Sequence, residues 1–383
     1  MTRLEKRNEV LRLASEAQNF DLFKALDEQL SGASDLILYG AGNAGRDIVN
    51  FIKSCGGGYT VKCFLDRNAD KMLEYLGFPV YKPDDARLSA DFREKTMVIL
   101  SLRLPFQKDY DEIEEYLRSL GYKNFANANY MFGLELDYDE EGGVDRKRFA
   151  EEAEDIALAF DLMTDEHSDN VFLEVFKAHA EMKYKIPEQS PGMTQYVDVN
   201  IPFRFKYRFF VDAGAFTGDT LEDLVKYHEL EQYIAFEPDM GNYTKLSLTA
   251  EKIHKNIGKV IMLPIGLSDK NGFIRFSALG KENSQIDKFG EQIIQTIRLD
   301  DLLKGYDSLM IKMDIEGAEI SAINGAKHII TETKPDLAIC VYHRISDLWR
   351  IPLLLKAWVP EYSFYLRNHY IGTSETVLYA TVV

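Results

Sequence analysis

VDAGAFTGDT, residues 211–220, is the stretch on which the reading of this chain turns. An apolar strand, 209–215, runs straight into a turn of small residues and then into a helix. Gly214 and Gly218 let the backbone approach a ligand closely, where a Cβ would collide. The turn delivers that ligand to the carboxyl end of the first strand, the usual crevice of an open α/β sheet. Asp212 is acidic, so the loop is poorly suited to phosphate and suits a ligand with a positive amine. Ala215 and Thr220 belong to the same loop. Alone, it reads equally well as a tight turn.

Outward from that loop, continuous apolar runs at 233–238, 260–265, 309–315 and 336–342 read as strands of a parallel sheet covered on both faces. Glu237, with Pro238, ends the second strand 19 residues after Gly218. A carboxylate at that place commonly accepts hydrogen bonds from a ribose hydroxyl. Ser268 and Asp269 follow the third strand, in an SDKNG turn where an adenine edge would lie. The fourth strand ends in IKMDIEGAE, which puts Asp314 and Glu316 at the mouth of the crevice. Glu316 and Glu319 read equally as stabilisers of a helix N-terminus. The last two runs, 362–370 and 376–382, have so short a link that they must be antiparallel neighbours.

The first half has its own organisation. Residues 1–30 are charged and helical in pattern, without the apolar core of a secretory signal. Strands at 36–40, 61–66 and 97–101 alternate with helices at 43–54 and 110–120, a βα-repeating domain ending near Gly133. GAGNAG, residues 40–45, follows a strand and opens a helix, and Asp66 ends the next strand 21 residues on. Gly40, Gly42, Gly45 and Asp66 therefore make a dinucleotide fingerprint. An acidic connector, 137–143, leads into an amphipathic helix carrying Phe149, Ala153, Ile156, Phe160 and Met163, then a second one over 168–182.

The segments DEHSDNVF, FVDAGAFTGDT, AFEPDMGNYTKL, GLSDKNG, RLDDLL, IKMDIEGAE, CVYHRISDLWRIPLLL, YLRNHY and ETVLYA resemble the FkbM-type family of S-adenosylmethionine-dependent methyltransferases. The resemblance runs from about Glu166 to the C-terminus. It implies an α/β fold whose C-terminal half is a class I methyltransferase doubly wound sheet of seven strands, the last antiparallel. It also implies that Asp212, Gly214, Gly218 and Glu237 line the cofactor site, with Asp314, Glu316 and Gly317 beside the transferred methyl. Members typically methylate hydroxyl groups of sugars or secondary metabolites. The stretches LILYGAGNAGRDI and CFLDRNADKM resemble the small Rossmann-like domain of nucleotide-sugar enzymes, which implies a nucleotide or dinucleotide site or a docking piece. The expected domains are N-terminal helices to 30, the Rossmann-like domain over 31–133, linker and helical preface over 134–195, and the methyltransferase domain over 196–383.

A hydroxyl is a poor nucleophile until a base takes its proton, and histidine is the natural base near neutral pH. His343, within YHRISD, and His369, within RNHY, both end strands of the C-terminal half, and Asp347 stands four residues after His343 as its orienting acid. Each histidine reads equally as a hydrogen-bonding piece of a loop. A divalent-metal site from Asp314, Glu316 and His343 has no tight ligand spacing in the sequence to support it, so no metal is expected.

Composition narrows the partners. A net charge of −17 argues against nucleic acid and against an anionic membrane surface, and the resemblance implies a small-molecule or saccharide substrate. Three cysteines (Cys55, Cys63, Cys340) without metal spacing fit a reducing cytoplasm. A homo-oligomer is left open. Two competing functions also stay open. One is a NAD-dependent oxidoreductase using Gly40 to Gly45 and Asp66, although no Tyr-x-x-x-Lys pair follows. The other is a non-catalytic nucleotide-binding or scaffold protein.

Overall fold

The computed structural model describes residues 1–19, 30, 33–54, 58–102, 107–126, 146–181, 195–196, 200–204, 208–277, 285–286, 292–306, 309–369 and 375–382. The acidic connector 137–143, residues 20–29 of the first helical stretch, Cys55 and the expected boundary at Gly133 lie outside them.

The first sheet is built from β1 (Asp35–Tyr39), β2 (Thr60–Leu65), β3 (Glu74–Tyr75), β4 (Phe78–Tyr81), β5 (Met97–Leu100) and β6 (Asn124–Ala126). They stand in the order β3-β4-β2-β1-β5-β6, parallel except for the β3–β4 hairpin. Side chains alternate across β1. Leu36 and Leu38 thus face Ile48, Val49 and Ile52 of the helix Asn43–Ser54, while Ile37 and Tyr39 join Tyr110 and Leu117 of the helix Gln107–Ser119.

The second half holds β7 (Phe209–Ala213), β8 (Leu230–Phe236), β9 (Ile257–Leu263), β10 (Gly266–Leu267), β11 (Gly272–Ser277), β12 (Gln285–Ile286), β13 (Gln292–Ile297), β14 (Leu309–Met313), β15 (Asp336–Cys340), β16 (Ser363–Asn368) and β17 (Thr376–Thr381). Seven of them form one sheet in the order β16-β17-β15-β14-β7-β8-β9, with β17 antiparallel to both its neighbours. The doubly wound sheet with an antiparallel last strand is therefore present. A smaller sheet, β10-β13-β11-β12, was not legible beforehand.

The strands of the seven-stranded sheet divide their side chains between two cores. Val211, Ile234, Ile311 and Ile339 face one way, Phe210, Tyr233, Met310 and Ala338 the other. Helices Asp219–Tyr227 and Met240–Ile253 cover the second face with Leu221, Leu224, Leu246 and Ala250. On the first face the N-terminal helix Arg3–Glu16 inserts Val10, Leu13 and Ala14 among Phe160, Phe172 and Phe176. The first helix of the chain is thus part of the last sheet's core. The amphipathic stretch after residue 145 is two helices, Arg146–Glu151 and Ala153–Asp161, broken at Glu152. That carboxylate accepts the Trp349 indole N–H at 2.5 Å and an Arg350 guanidinium N–H. No helix among the described residues is long and apolar enough to cross a membrane.

Candidate active site

β14 lies between β7 and β15, so the loops leaving the carboxyl ends of all three strands meet at one rim. The register of β7 on β14 sets Asp212 beside Lys312. Lys312 Nζ is 2.9 Å from Asp212 Oδ1 and donates to the Gly214 carbonyl at 2.6 Å. The Tyr233 hydroxyl donates to Asp212 Oδ2 at 2.6 Å. Asp212 is wholly buried, and the positive charge it meets is a lysine of the neighbouring strand rather than a ligand amine. Burial alone would depress the Lys312 ammonium, yet Asp212 and Asp314 carry it above its ordinary range. The pair props the glycine turn from beneath. Lys312 escaped the sequence reading, though a lysine inside LMIKM has to find a buried acid.

Above this pair the chain turns through three residues of positive φ, Gly214 (77°), Phe216 (46°) and Gly218 (89°). Gly214 and Ala215 donate their N–H groups to the Phe236 carbonyl at the end of β8, and Gly218 caps the helix that contains buried Thr220. Glu237 is 6% exposed; its Oε2 accepts the Phe216 N–H at 2.9 Å and its Oε1 the Asp239 N–H at 2.8 Å. Burial lifts its carboxyl to about 7 against those two donors. Glu237 and the glycine turn are thus one unit, and Pro238 links it to the helix capped by Asp239. Ser268 and Asp269 sit on the far flank, where both meet the Ser321 hydroxyl at 3.2 Å.

The opposite wall is made by the ends of β14 and β15. Asp314 accepts the Tyr196 hydroxyl at 2.9 Å and the Tyr342 hydroxyl at 3.2 Å. Burial would raise its carboxyl, but Lys312 and His343 hold it below the usual range. His343 Nε2 lies 3.4 Å from Asp314 Oδ1 and 3.5 Å from Glu316 Oε2. Its Nδ1 is 3.0 Å from Glu319 Oε1. Burial works against an imidazolium there, yet Glu319, Glu316 and Asp314 together raise His343 to about 10. The ring's orienting acid is therefore Glu319, not Asp347. Burial pushes Glu316 to about 7 and Asp347 to about 8. His369 stands one layer behind: its Nε2 meets the Tyr379 hydroxyl at 2.9 Å, and that oxygen accepts the Tyr196 N–H at 3.1 Å.

These features fit an adenosyl ligand with a positive sulfonium. A buried carboxylate with fixed oxygens ends β8, a turn of small residues crosses the strand ends, and acids close the far side.

In the first sheet Gly40 and Gly45 are required by the chain itself. A Cβ on Gly40 would lie 2.7 Å from the Ser101 carbonyl, and one on Gly45 2.5 Å from the Gly40 carbonyl. Gly42 faces open space, on a cavity of about 300 Å³ lined by residues 40–44 with Asp66, Ser101 and Leu102. Asp66 accepts the Ala41 N–H at 3.0 Å and the Asn68 N–H at 2.8 Å, so it anchors the loop.

Residues 212–364 match the family model of the methyltransferase FkbM domain. The whole fold is similar to the crystal structure of methyltransferase FkbM from Methylobacillus flagellatus KT, with a TM-score of 0.74 and 21% identity over 99% of this chain and 100% of that one. At that identity the likeness speaks for the fold. No curated protein matches the chain.

Proposed function

We propose, on the premise that residues 212–364 are a methyltransferase FkbM domain, that this chain methylates a hydroxyl oxygen with S-adenosylmethionine as the donor. The acceptor would be a saccharide, a glycan precursor or a secondary metabolite. The observation that carries the reading is the facing of two built walls: the Glu237–Phe216 unit on one side and the Asp314–Glu316–His343 group on the other. When bound, S-adenosylmethionine supplies a methyl group already activated on a sulfonium. The protein's share is then to place the acceptor oxygen and remove its proton. Glu237 keeps lone pairs on both oxygens for ribose hydroxyls. Asp314 and His343 hold the acceptor hydroxyl, and Glu316, whose carboxyl burial lifts to about 7, receives its proton.

Calorimetric titration with S-adenosylmethionine tests the donor side. Wild type binds, and Glu237→Ala loses at least about tenfold in affinity, as expected for a lost charged hydrogen bond. Equal affinity in the variant would end the proposal. Labelled methyl groups offered with a panel of saccharides test the acceptor side.

The cavity at Gly42 favours a second reading for the first sheet, a nucleotide or nucleotide-sugar site that presents a linked acceptor. A nicotinamide absorbance change on adding NADH and substrate would instead favour the oxidoreductase alternative.

A further inference from the structure

We propose that Asp314, Glu316 and His343 form a site for one divalent transition-metal ion at the rim of the crevice. The location rests on geometry; the use of the ion rests on the methyltransferase reading. One oxygen from each carboxylate and one ring nitrogen lie within 4.8 Å of one another. From Nε2 the two oxygens are 3.4 and 3.5 Å away. Ligands about 2.0–2.2 Å from a common ion, at angles between octahedral and tetrahedral, stand roughly 3–3.5 Å apart. The two separations from Nε2 already have that spacing, and the two carboxylate oxygens lie within 4.8 Å of each other.

A second observation is independent of the acids. The His343 side chain is only 8% exposed, its Nε2 is buried, and that atom has no hydrogen-bond partner. It stands 3.4 and 3.5 Å from one oxygen of each carboxylate, a place that a proton on the ring or a metal ion can fill. The ring is held from behind through Nδ1 by Glu319, which is itself fully buried and fixed by the Ile315 N–H at 2.9 Å. A carboxylate in that position sets the tautomer and angle of a metal-binding imidazole. Glu316 adopts a φ of 56° ahead of Gly317 at 86°, an unfavourable backbone for a residue with a Cβ. That strain falls where the ligand set is assembled.

Two carboxylates with one imidazole suit Mn²⁺, Fe²⁺ or Zn²⁺ better than Mg²⁺ or Ca²⁺, which prefer oxygen alone. Three protein ligands leave positions open for an oxygen of the acceptor. An ion there would hold that oxygen and make its hydroxyl more acidic.

The test is a titration of the full-length chain with MnCl₂ alone, following loss of the free-ion electron paramagnetic resonance signal. Wild type takes up one equivalent. His343→Gln abolishes uptake, Glu316→Gln weakens it at least about tenfold, and Glu319→Gln weakens it by roughly 10- to 100-fold. Circular dichroism checks that each variant is folded, and Glu316→Gln, on a partly exposed side chain, serves where His343→Gln is not. Absence of uptake by wild type at millimolar Mn²⁺ would overturn the site and leave a protonated imidazole between the acids. Equal uptake by the folded variants would also overturn it, placing the ion elsewhere. Glu237→Ala separates the two proposals: it retains the Mn²⁺ equivalent while losing S-adenosylmethionine. Intact nucleoside binding without metal uptake defeats only the ion.

Discussion

A Cβ built on Gly214 would lie 1.8 Å from the carbonyl oxygen of Asp314. The glycine turn after β7 and the acid after β14 are therefore one packed unit, and no side chain fits between them. Gly214→Ala must push the β14 end outward and also place alanine at a φ of 77°. Together these cost at least about 3 kcal/mol. Gly218→Ala meets the side chains of Thr249 and Leu246, at 2.9 and 3.1 Å, rather than backbone, but also places alanine at a φ of 89°, and should cost about 2 kcal/mol. Gly42→Ala meets nothing within 4 Å and should stay within about 0.5 kcal/mol of wild type. Urea denaturation ranks the three, and a Gly214→Ala protein as stable as Gly42→Ala would refute the packing.

The Asp212–Lys312 pair makes a second prediction. Both side chains are at most 3% exposed, so removing one leaves an uncompensated charge in the interior. Lys312→Met should destabilise the chain by about 3–5 kcal/mol. The double variant Asp212→Asn with Lys312→Met should recover most of that loss, because the cost lies in the orphaned charge rather than in the missing bond. Additive losses in the double-mutant cycle would show that the pair is not coupled.

Residues like these show where the sequence could be read and where it could not. The seven long strands were legible because a sheet covered on both faces demands unbroken apolar runs, as in FFVDA and LMIKM. The small sheet was not: burial alternates along β11 and β13, but apolar Phe273 and Ile293 stand on the outer side, 75% and 68% exposed, so apolar and polar residues do not follow it in the sequence. Asp314, Glu316 and His343 could be named from their places at strand ends, and the structure brings them together. Their support could not. Asp347 is near His343 in sequence, whereas Glu319 reaches the ring from the first turn of the helix Glu319–Gly325, 24 residues away in the chain. Strand order decides such contacts, and a single sequence does not print it. The same holds for Tyr196, which touches Asp314 across 118 residues.

The N-terminal helix supplies a prediction about cooperativity. Leu13 is 2% exposed and shares a core with Phe172 and Phe176 of the helix Glu166–Glu181. Leu13→Ala should cost about 2–4 kcal/mol. Because the lost contacts belong to the last sheet, amide exchange should speed up through Glu166–Glu181 and leave β1 unchanged. Faster exchange in β1 with a protected Glu166–Glu181 would assign the helix to the wrong core.

His369 gives the chain a pH dependence with a definite sign. Burial lowers its imidazole to about 4 from an ordinary value near 6.5, and the neutral ring meets the Tyr379 hydroxyl. Between those values the unfolded chain binds a proton that the folded chain refuses. Stability from this group is therefore complete above about pH 6.5 and is lost as the pH falls towards 4. A shift of that size corresponds to about 3 kcal/mol. His369→Gln keeps a partner for Tyr379 but cannot titrate. The difference in urea midpoint between wild type and variant should thus be constant above pH 6.5 and change steadily below it, in the direction of wild type losing ground. Other groups titrate in the same window, but they are common to both proteins and cancel in the difference. A difference that stays flat from pH 4 to pH 7 would mean that the ring charges freely in the folded state, and that it is not buried as described.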